Sequence, residues 1–397
     1  MAEEDILRMS TKEVRRLKVM QDVMAKRITQ VKAGEILDLG ERQIRRIVDV
    51  VRIEGAGGVI HKSRGKPSNR KFPSAVKQRV LRLYQKRYDG FGPTLAGEKL
   101  LEIDHIKISD ETLRRWLIEA GHWQRRKRKA VHRQWRARKE CFGEMIQMDG
   151  SHHAWLEERG PVLVLMGYID DATSEVYGRF YDYEGTLPAM DSFKRYTAQY
   201  GLPMSVYLDR HSTYKSTKKL PEGAEDKALP LSQFERALEE LGVEVIHAYS
   251  PQAKGRVERL FGTLQDRLVK EMRLAGITTR EGANAFLEHY WPKYNKQFRV
   301  CAANSTNVHV KANRNLDRYL CIKTERTVAK DHTIAHHGRR FQIHSRTAAK
   351  RVNVEERCDG SMHLVNNNAD LKFTELKDWP AKFSNQPSGW FETVNPY

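Results

Sequence analysis

The chain is 397 residues long, 40% hydrophobic and 30% charged, which allows two or three domains with ordinary cores and excludes a disordered or disulfide-stapled chain. Seventy Lys and Arg against fifty-one Asp and Glu give +19 and a pI near 9.7, a balance that points to a polyanionic partner, nucleic acid first among them. No apolar stretch approaches the ~20 residues that span a bilayer, the opening MAEEDILRMS lacks a signal layout, and Cys141, Cys301, Cys321 and Cys358 form no CxxC pair, so a cytoplasmic protein with reduced thiols and no membrane contact is expected.

Residues 1–60 read as a first helix-turn-helix domain. Val14, Leu17, Met20 and Met24 recur at helical spacing, and a helix over 29–37, a turn over 38–40 and a second helix from Glu41 follow. On that second helix Ile44, Ile47, Val48 and Val51 face inward while Arg42, Gln43, Arg45 and Arg46 project outward, the layout of a helix that enters a major groove. A small bundle with a solvated basic face has the same pattern. Residues 61–73 read as a basic linker whose Arg64 and Lys66 would lie in a narrow minor groove, although a plain flexible linker looks alike.

Residues 74–123 read as a second helix-turn-helix domain. Val76, Val80, Leu83 and Tyr84 share one face, a break falls at 90–93, and a third helix capped by Ser109 or Asp110 runs through Leu113, Trp116 and Leu117 to Gly121. Its Arg114 and Arg115 are candidate DNA contacts. The linker 124–140 contains QRRKRKAVHRQWRARK, with nine Lys or Arg and no acid. Arg125, Arg126, Lys127 and Arg128 lead it, and every phosphate contact there would steepen the salt dependence of binding. A solvated basic helix is the alternative.

Residues 141–300 read as an α/β core. Strands are expected over 144–149, 162–170 and 175–183, then a helix over 187–200, a strand over 204–209, a helix carrying Phe234, Leu238 and Leu241, a strand over 244–248 and a helix over 255–273. Three strands followed by alternating helix and strand is the ribonuclease H-like order. Asp149 ending the first strand, Asp209 ending the fourth beside it and Glu258 in the first turns of the last helix would meet at one end of the sheet. Carboxylates are hard oxygen ligands, and three of them suit a Mg²⁺ or Mn²⁺ pair that serves displacement at phosphorus. Around them, Lys254, Arg256 and Arg259 are candidates to grip backbone phosphates, as is Gln265 to touch DNA, against ordinary surface placement. His152 and His153 are candidates to contact the scissile phosphate or to be loop histidines. Glu144, Asp170 and Asp171 are expected at turns or edges, although the Asp170–Asp171 pair also has the look of a metal pair.

The blocks DGSHHAW (149–155), YLDRHSTY (207–214) and SPQAKGRVER (250–259) resemble DDE transposases of the retroviral-integrase superfamily, more narrowly those of the ISNCY insertion-sequence group, over roughly residues 25–300. The resemblance implies that Asp149, Asp209 and Glu258 are the metal ligands, for two Mg²⁺ (or Mn²⁺) ions per active site. It implies that the N-terminal helices bind terminal inverted repeats of double-stranded DNA, that water cleaves a strand and that the freed 3′-hydroxyl attacks target DNA. A homo-oligomeric synaptic complex, a dimer or larger, in the bacterial cytosol and nucleoid is implied as well. Such chemistry uses no Ser or Cys nucleophile elbow, and none is seen.

Residues 301–326 read as a connector, 327–378 as a small β-barrel with turns at His337-Gly338 and Asp359-Gly360, and 379–397 as a tail. Arg339, Arg340, Arg346, Lys350 and Arg351 favour DNA or a partner subunit, or a solvated basic surface. His332, His336, His337 and His344 have no cysteines at zinc spacing, so no metal site is expected there. A transposase-derived regulator without cleavage and a ribonuclease H or resolvase-type nuclease share parts of this layout. The three retained acids argue against the first, and the two-headed N-terminal reader against the second.

Overall fold

The structure is a computed structural model that describes residues 7–65, 71–124, 137–209, 231–247, 255–312, 315–345 and 349–376. It divides into two compact units, Met1–Gln124 and Arg125–Tyr397. Among the described residues no helix is long and apolar enough to cross a membrane.

The first unit holds two groups of three helices. Helix α1 (Thr11–Met24) starts in a capping box, in which Ser10 Oγ accepts from the Glu13 N–H and the Glu13 carboxylate takes the Ser10 N–H at 2.7 Å. Helix α2 (Gln30–Leu37), capped by Thr29, ends at Asp38 in the left-handed region, φ 53°, and α3 (Glu41–Glu54) follows. The close turn depends on Gly34, because a Cβ there would lie 2.7 Å from the Leu39 carbonyl oxygen. Val19, Met20, Ala33, Ile44, Val48 and Val51, from α1, α2 and α3, close the core of this group. In the second group, α4 (Ser74–Arg87), α5 (Pro93–Glu102) and α6 (Asp110–Glu119) pack Tyr84, Tyr88, Phe91, Leu100, Leu113 and Leu117 inward. Pro93 opens α5, where its missing N–H costs nothing, and Ser109 caps α6.

The second unit is built on a five-stranded sheet of order β4-β3-β2-β5-β6. Its strands are β2 (Met145–His153), β3 (Leu163–Asp170), β4 (Val176–Tyr181), β5 (Ser205–Leu208) and β6 (Glu244–His247), preceded by the short β1 (Cys141–Phe142). Helices α7 (Thr186–Tyr200) and α8 (Gln233–Glu240) cover one face with Phe193, Tyr196, Phe234 and Leu238 against Ile146, Met148, Val164 and Met166. Helices α9 (Gly255–Leu274) and α10 (Arg280–Phe298) cover the other with Leu264, Leu268 and Trp291 against Leu163, Leu165 and Phe180. Because both faces are covered, β3 is buried along its whole length and reads as an unbroken apolar run. One expectation is corrected: β2 does not stop at Asp149 but continues to His153, which pairs with Leu163. The polar run DGSHH reads as a loop, yet it is held in the sheet by the apolar β3 opposite it.

After α10, β7 (Asn304–Asn307) pairs with β1, and the chain enters β8 (Cys321–Thr327), β9 (Thr333–His336), β10 (Arg339–Ile343), β11 (Arg351–Arg357), β12 (Met362–Asn366), β13 (Ala369–Leu371) and β14 (Phe373–Glu375). The described strands bond as two antiparallel sheets, β14-β10-β9 and β13-β12-β11-β8, over a core of Ile334, Phe341, Ile343, Val352, Val354 and Leu364. Where a small barrel starting near Thr327 is expected, these two sheets stand and the module begins at Cys321. Strand β8 is hard to read because CIKTERT does not alternate cleanly. It is joined to α8 by reciprocal bonds: the Gln233 side chain donates to the Lys323 carbonyl at 2.9 Å and accepts its N–H at 3.0 Å.

Beside β7, His309 sits among Phe142, Tyr196 and Tyr200, with Nε2 2.7 Å from the Tyr196 hydroxyl. Burial pushes its pKa down from 6.5 to about 4, so between those values the unfolded chain binds the proton and the folded one does not. Stability carried by neutral His309 is therefore full above pH 6.5 and is lost as pH falls toward 4. Thermal melting across that window should show the decline, and His309→Gln should flatten it; an equal slope in both proteins would contradict this assignment.

Candidate active site

The register of β2 against its neighbours sets the site. In the parallel pair with β5, Gln147 lies opposite Tyr207. Asp149 stands two residues further along β2, and Asp209 two residues beyond Tyr207, just past the end of β5. Alternation along β2 sends Ile146 and Met148 to the face under α7 and α8, and Gln147, Asp149 and Ser151 to the face under α9.

Two hydrogen bonds hold α9 to that second face. Gln147 Oε1 accepts the Val257 N–H at 3.3 Å, and Gln265 Nε2 donates to Ser151 Oγ at 3.2 Å. They bracket Asp149. Between them Phe261 lies over Gly167, the residue paired with Asp149 on β3; a Cβ on Gly167 would meet the ring at 2.7 Å. Glu258, Phe261 and Gln265 follow one another at helical spacing on α9, so Glu258 falls on the flank of the helix that crosses β2. Asp149 and Asp209 are half-buried and Glu258 is exposed. The acids thus share one region, although their oxygens do not form a set within 4.8 Å.

Among the described residues that closeness is met by His336, His337 and Glu356 in the C-terminal module. There Arg326 Nε donates to His336 Nδ1 at 3.1 Å, which leaves the imidazole proton on Nε2, facing Glu356 at 3.3 Å. In that tautomer Nε2 would have to give up its proton before ligating a metal; the trio is held by contacts of His336 and His337 with Glu356, both at 3.3 Å.

The remaining candidates separate into three groups. Arg42, Gln43, Arg45 and Arg46 are exposed on α3, with Arg45 2.7 Å from Glu41, and Arg115 and Arg259 are exposed on α6 and α9. Others are tied to the protein itself: Arg64 bonds the Arg8 carbonyl and the Glu13 carboxylate, both at 2.9 Å, and Arg114 holds Glu111 through two bonds of 2.7 Å. Hydrogen bonds from Ser10 first, then Arg64, hold the Glu13 carboxyl below its ordinary range. Arg256 also belongs here, since its side chain is only 11% exposed and reaches buried Asp171 at 2.7 Å rather than solvent. Lys66, Arg125, Arg126, Lys127, Arg128 and Lys254 lie outside the described residues.

His152 Nε2 is 3.0 Å from Glu184, and His153 packs edge-on against Trp155. Asp170 takes the N–H groups of Gly143 and Thr173 at 2.9 and 2.7 Å, a turn role in line with expectation, and burial raises its pKa. Sequence reasoning passed over Gln147, whose only signal is a polar residue inside the apolar run MIQM. It also passed over the pair Glu235–His247: His247 Nε2 lies 2.8 Å from Glu235, and its Nδ1 lies 3.4 Å from the Asp209 carbonyl oxygen.

The second unit is thus a mixed five-stranded sheet with Asp149 on its central strand and α9 across it. No family model matches the chain. A putative transposase, y4bF, of Sinorhizobium fredii is 39% identical over 342 residues, 85% of this chain and 74% of that protein. The transposase for insertion sequence IS1202 of Streptococcus pneumoniae is 31% identical over 323 residues, 72% of this chain and 68% of that protein. The chain therefore belongs to the transposase family of these relatives. Among solved structures, a chain of the simian T-cell lymphotropic virus intasome in complex with PP2A regulatory subunit B56 gamma aligns over 70% of this chain and 96% of its own, at 14% identity and TM-score 0.33. The HTLV-2 integrase catalytic core domain in complex with magnesium, in its trimeric form, aligns over 37% and 83%, at 15% identity and TM-score 0.29.

The contact of Phe261 with Gly167 has a measurable consequence. Gly167→Ala should destabilise the protein by about 1–3 kcal/mol through overpacking, and Phe261→Leu in the same chain should recover much of the loss. Denaturant unfolding of the single and double variants checks this; strictly additive losses would show that the ring does not press on that position.

Proposed function

We propose that this transposase binds the terminal inverted repeats of an insertion sequence, cleaves DNA strands with water and joins the freed 3′-hydroxyl ends to target DNA by a two-metal-ion transesterification. The observation that supports the reading is the β2–β5 pairing of Gln147 with Tyr207, two residues before Asp149 and Asp209, together with the hydrogen bond from α9, the helix that bears Glu258, to Gln147.

The donor set fits a hard divalent cation. Three carboxylates offer oxygen only, two of them half-buried and the third on an exposed flank where a DNA strand has access. Asp149, Asp209 and Glu258 would hold two Mg²⁺ or Mn²⁺ ions, which when bound lower the pKa of the attacking water or hydroxyl and neutralise charge on the phosphate. The residues of this chain would supply the positions: Asp149 from β2, Asp209 from just past β5, and Glu258 from α9. Arg259, exposed one residue beyond Glu258, would contact a backbone phosphate near the reacting bond. The exposed face of α3, with Arg42, Gln43, Arg45 and Arg46, is the reading face for a DNA end, and α6 presents Arg115 in the same manner. Joining two ends to one target calls for at least two copies of the chain, so the working form is a homo-oligomer on double-stranded DNA.

Asp149→Ala, Asp209→Ala and Glu258→Gln should each cut metal-dependent cleavage and joining by about a thousandfold or more, the equivalent of ~4 kcal/mol of transition-state stabilisation, while affinity for a labelled end duplex is kept. Joining that survives these changes would overturn the site assignment. Firm end binding by the unaltered protein with no cleavage in Mg²⁺ or Mn²⁺ would point instead to a DNA-binding regulator.

A further inference from the structure

Glu258 is exposed on the first turn of α9, where a helix frays most easily, yet the proposed chemistry needs its carboxylate at a set distance from Asp149. Beneath that turn lies a buried polar cluster with no part in the chemistry. Asp171, with no exposed surface, accepts from Arg256 Nη1 at 2.7 Å and Gln147 Nε2 at 2.9 Å through one oxygen, and from the Lys139 N–H at 2.9 Å through the other. Its own N–H donates to the Met145 carbonyl at 2.9 Å, and its carbonyl accepts from Arg138 at 3.1 Å. The carboxylate is therefore fixed to β2, the strand that carries Asp149.

The same cluster grips α9 at two successive residues. Arg256 reaches down to Asp171, and the Val257 N–H, one of the amides a helix start leaves without an intrahelical acceptor, donates to Gln147 Oε1. Glu258 is the next residue. Gln147 stands two residues before Asp149 on the same face of β2, so it registers the strand and the helix together. An arginine–carboxylate contact with one partner wholly buried has strict geometry, and a buried carboxylate left without its cation is strongly disfavoured.

We propose that Arg256, Asp171 and Gln147 are positioning residues that set Glu258 against Asp149, Arg256 acting through protein rather than through a DNA phosphate. The inference rests on the metal-site reading above. Outer-shell partners of this kind change metal affinity by about 10–100-fold when removed.

The test uses the full chain with Arg256→Leu, Arg256→Lys and Asp171→Asn, and Glu258→Gln as reference. Three quantities are read: Mn²⁺ affinity by electron paramagnetic resonance, amide hydrogen exchange over residues 256–259, and the salt dependence of end-duplex binding. Arg256→Leu should weaken Mn²⁺ roughly tenfold or more and speed exchange in the first turn of α9, with Arg256→Lys smaller in both and the salt slope unchanged. If Arg256→Leu does not fold, Asp171→Asn, which keeps the shape and removes the charge, should show the same two changes. Unchanged exchange and Mn²⁺ affinity overturn the inference, as does a salt slope lowered by about one in Arg256→Leu, which would assign Arg256 to a phosphate. A wild-type Mn²⁺ affinity equal to that of Glu258→Gln would sink the metal-site reading instead, and exchange would still decide whether Arg256 docks the helix.

Discussion

The second unit depends on α9 lying against the one face of β2 that carries Gln147, Asp149 and Ser151. Two hydrogen bonds set that contact along its length, and the aromatic ring of Phe261 sets its height over Gly167. The rest of the sheet serves to hold it. Strand β3 pins β2 from one side in antiparallel register, and β5 holds it from the other in parallel. Because a slip of one residue would turn Asp149 to the opposite face, the buried rows on both sides of the sheet protect the position of the acid as much as they stabilise the fold.

Hydrophobic burial and buried polarity have different duties here. The two apolar clusters that clamp the sheet supply the bulk of its stability, because removing apolar surface from water is the dominant favourable contribution to folding. The polar cluster at Asp171 contributes little net stability on general grounds, since desolvation offsets attraction in a buried ion pair. Its value is geometric: a carboxylate that must satisfy Arg256, Gln147 and the Lys139 N–H at once admits one arrangement of strand, turn and helix. The pair Glu235–His247 applies the same logic next to Asp209, where the capping-box glutamate of α8 also orients an imidazole toward the Asp209 backbone.

Much of this was legible in the sequence, for reasons particular residues show. Helices α2 and α3 announce themselves through Thr29, Asp38 and the spacing of Ile44, Val48 and Val51, all local signals. The order of strands in the core could be read because both faces are covered, so β3, the start of β2 and β5 are largely apolar. The length of β2 could not, since DGSHH is polar and stays in the sheet only through pairing with β3, whose residues lie elsewhere in the sequence. The place of Arg256 was hidden for the same reason: its partner Asp171 is 85 residues distant, and a basic residue beside a candidate metal-binding glutamate reads as a phosphate contact until its burial is known. Arg64 likewise reads as a groove-binding residue and is in fact bonded to the start of α1, 51 residues earlier. In the C-terminal module, β8 went unread because a half-exposed strand of mixed polarity has no period to detect.

The proposed chemistry stands on Asp149, Asp209 and Glu258 gathering divalent cations at one point. Diffraction from crystals of the full chain bound to a DNA end and grown with Mn²⁺, collected at the manganese absorption edge, tests this directly. Two anomalous peaks within coordination distance of these three carboxylates are expected, as is their disappearance in Asp209→Ala. Peaks elsewhere, or none between β2, β5 and α9, would contradict it.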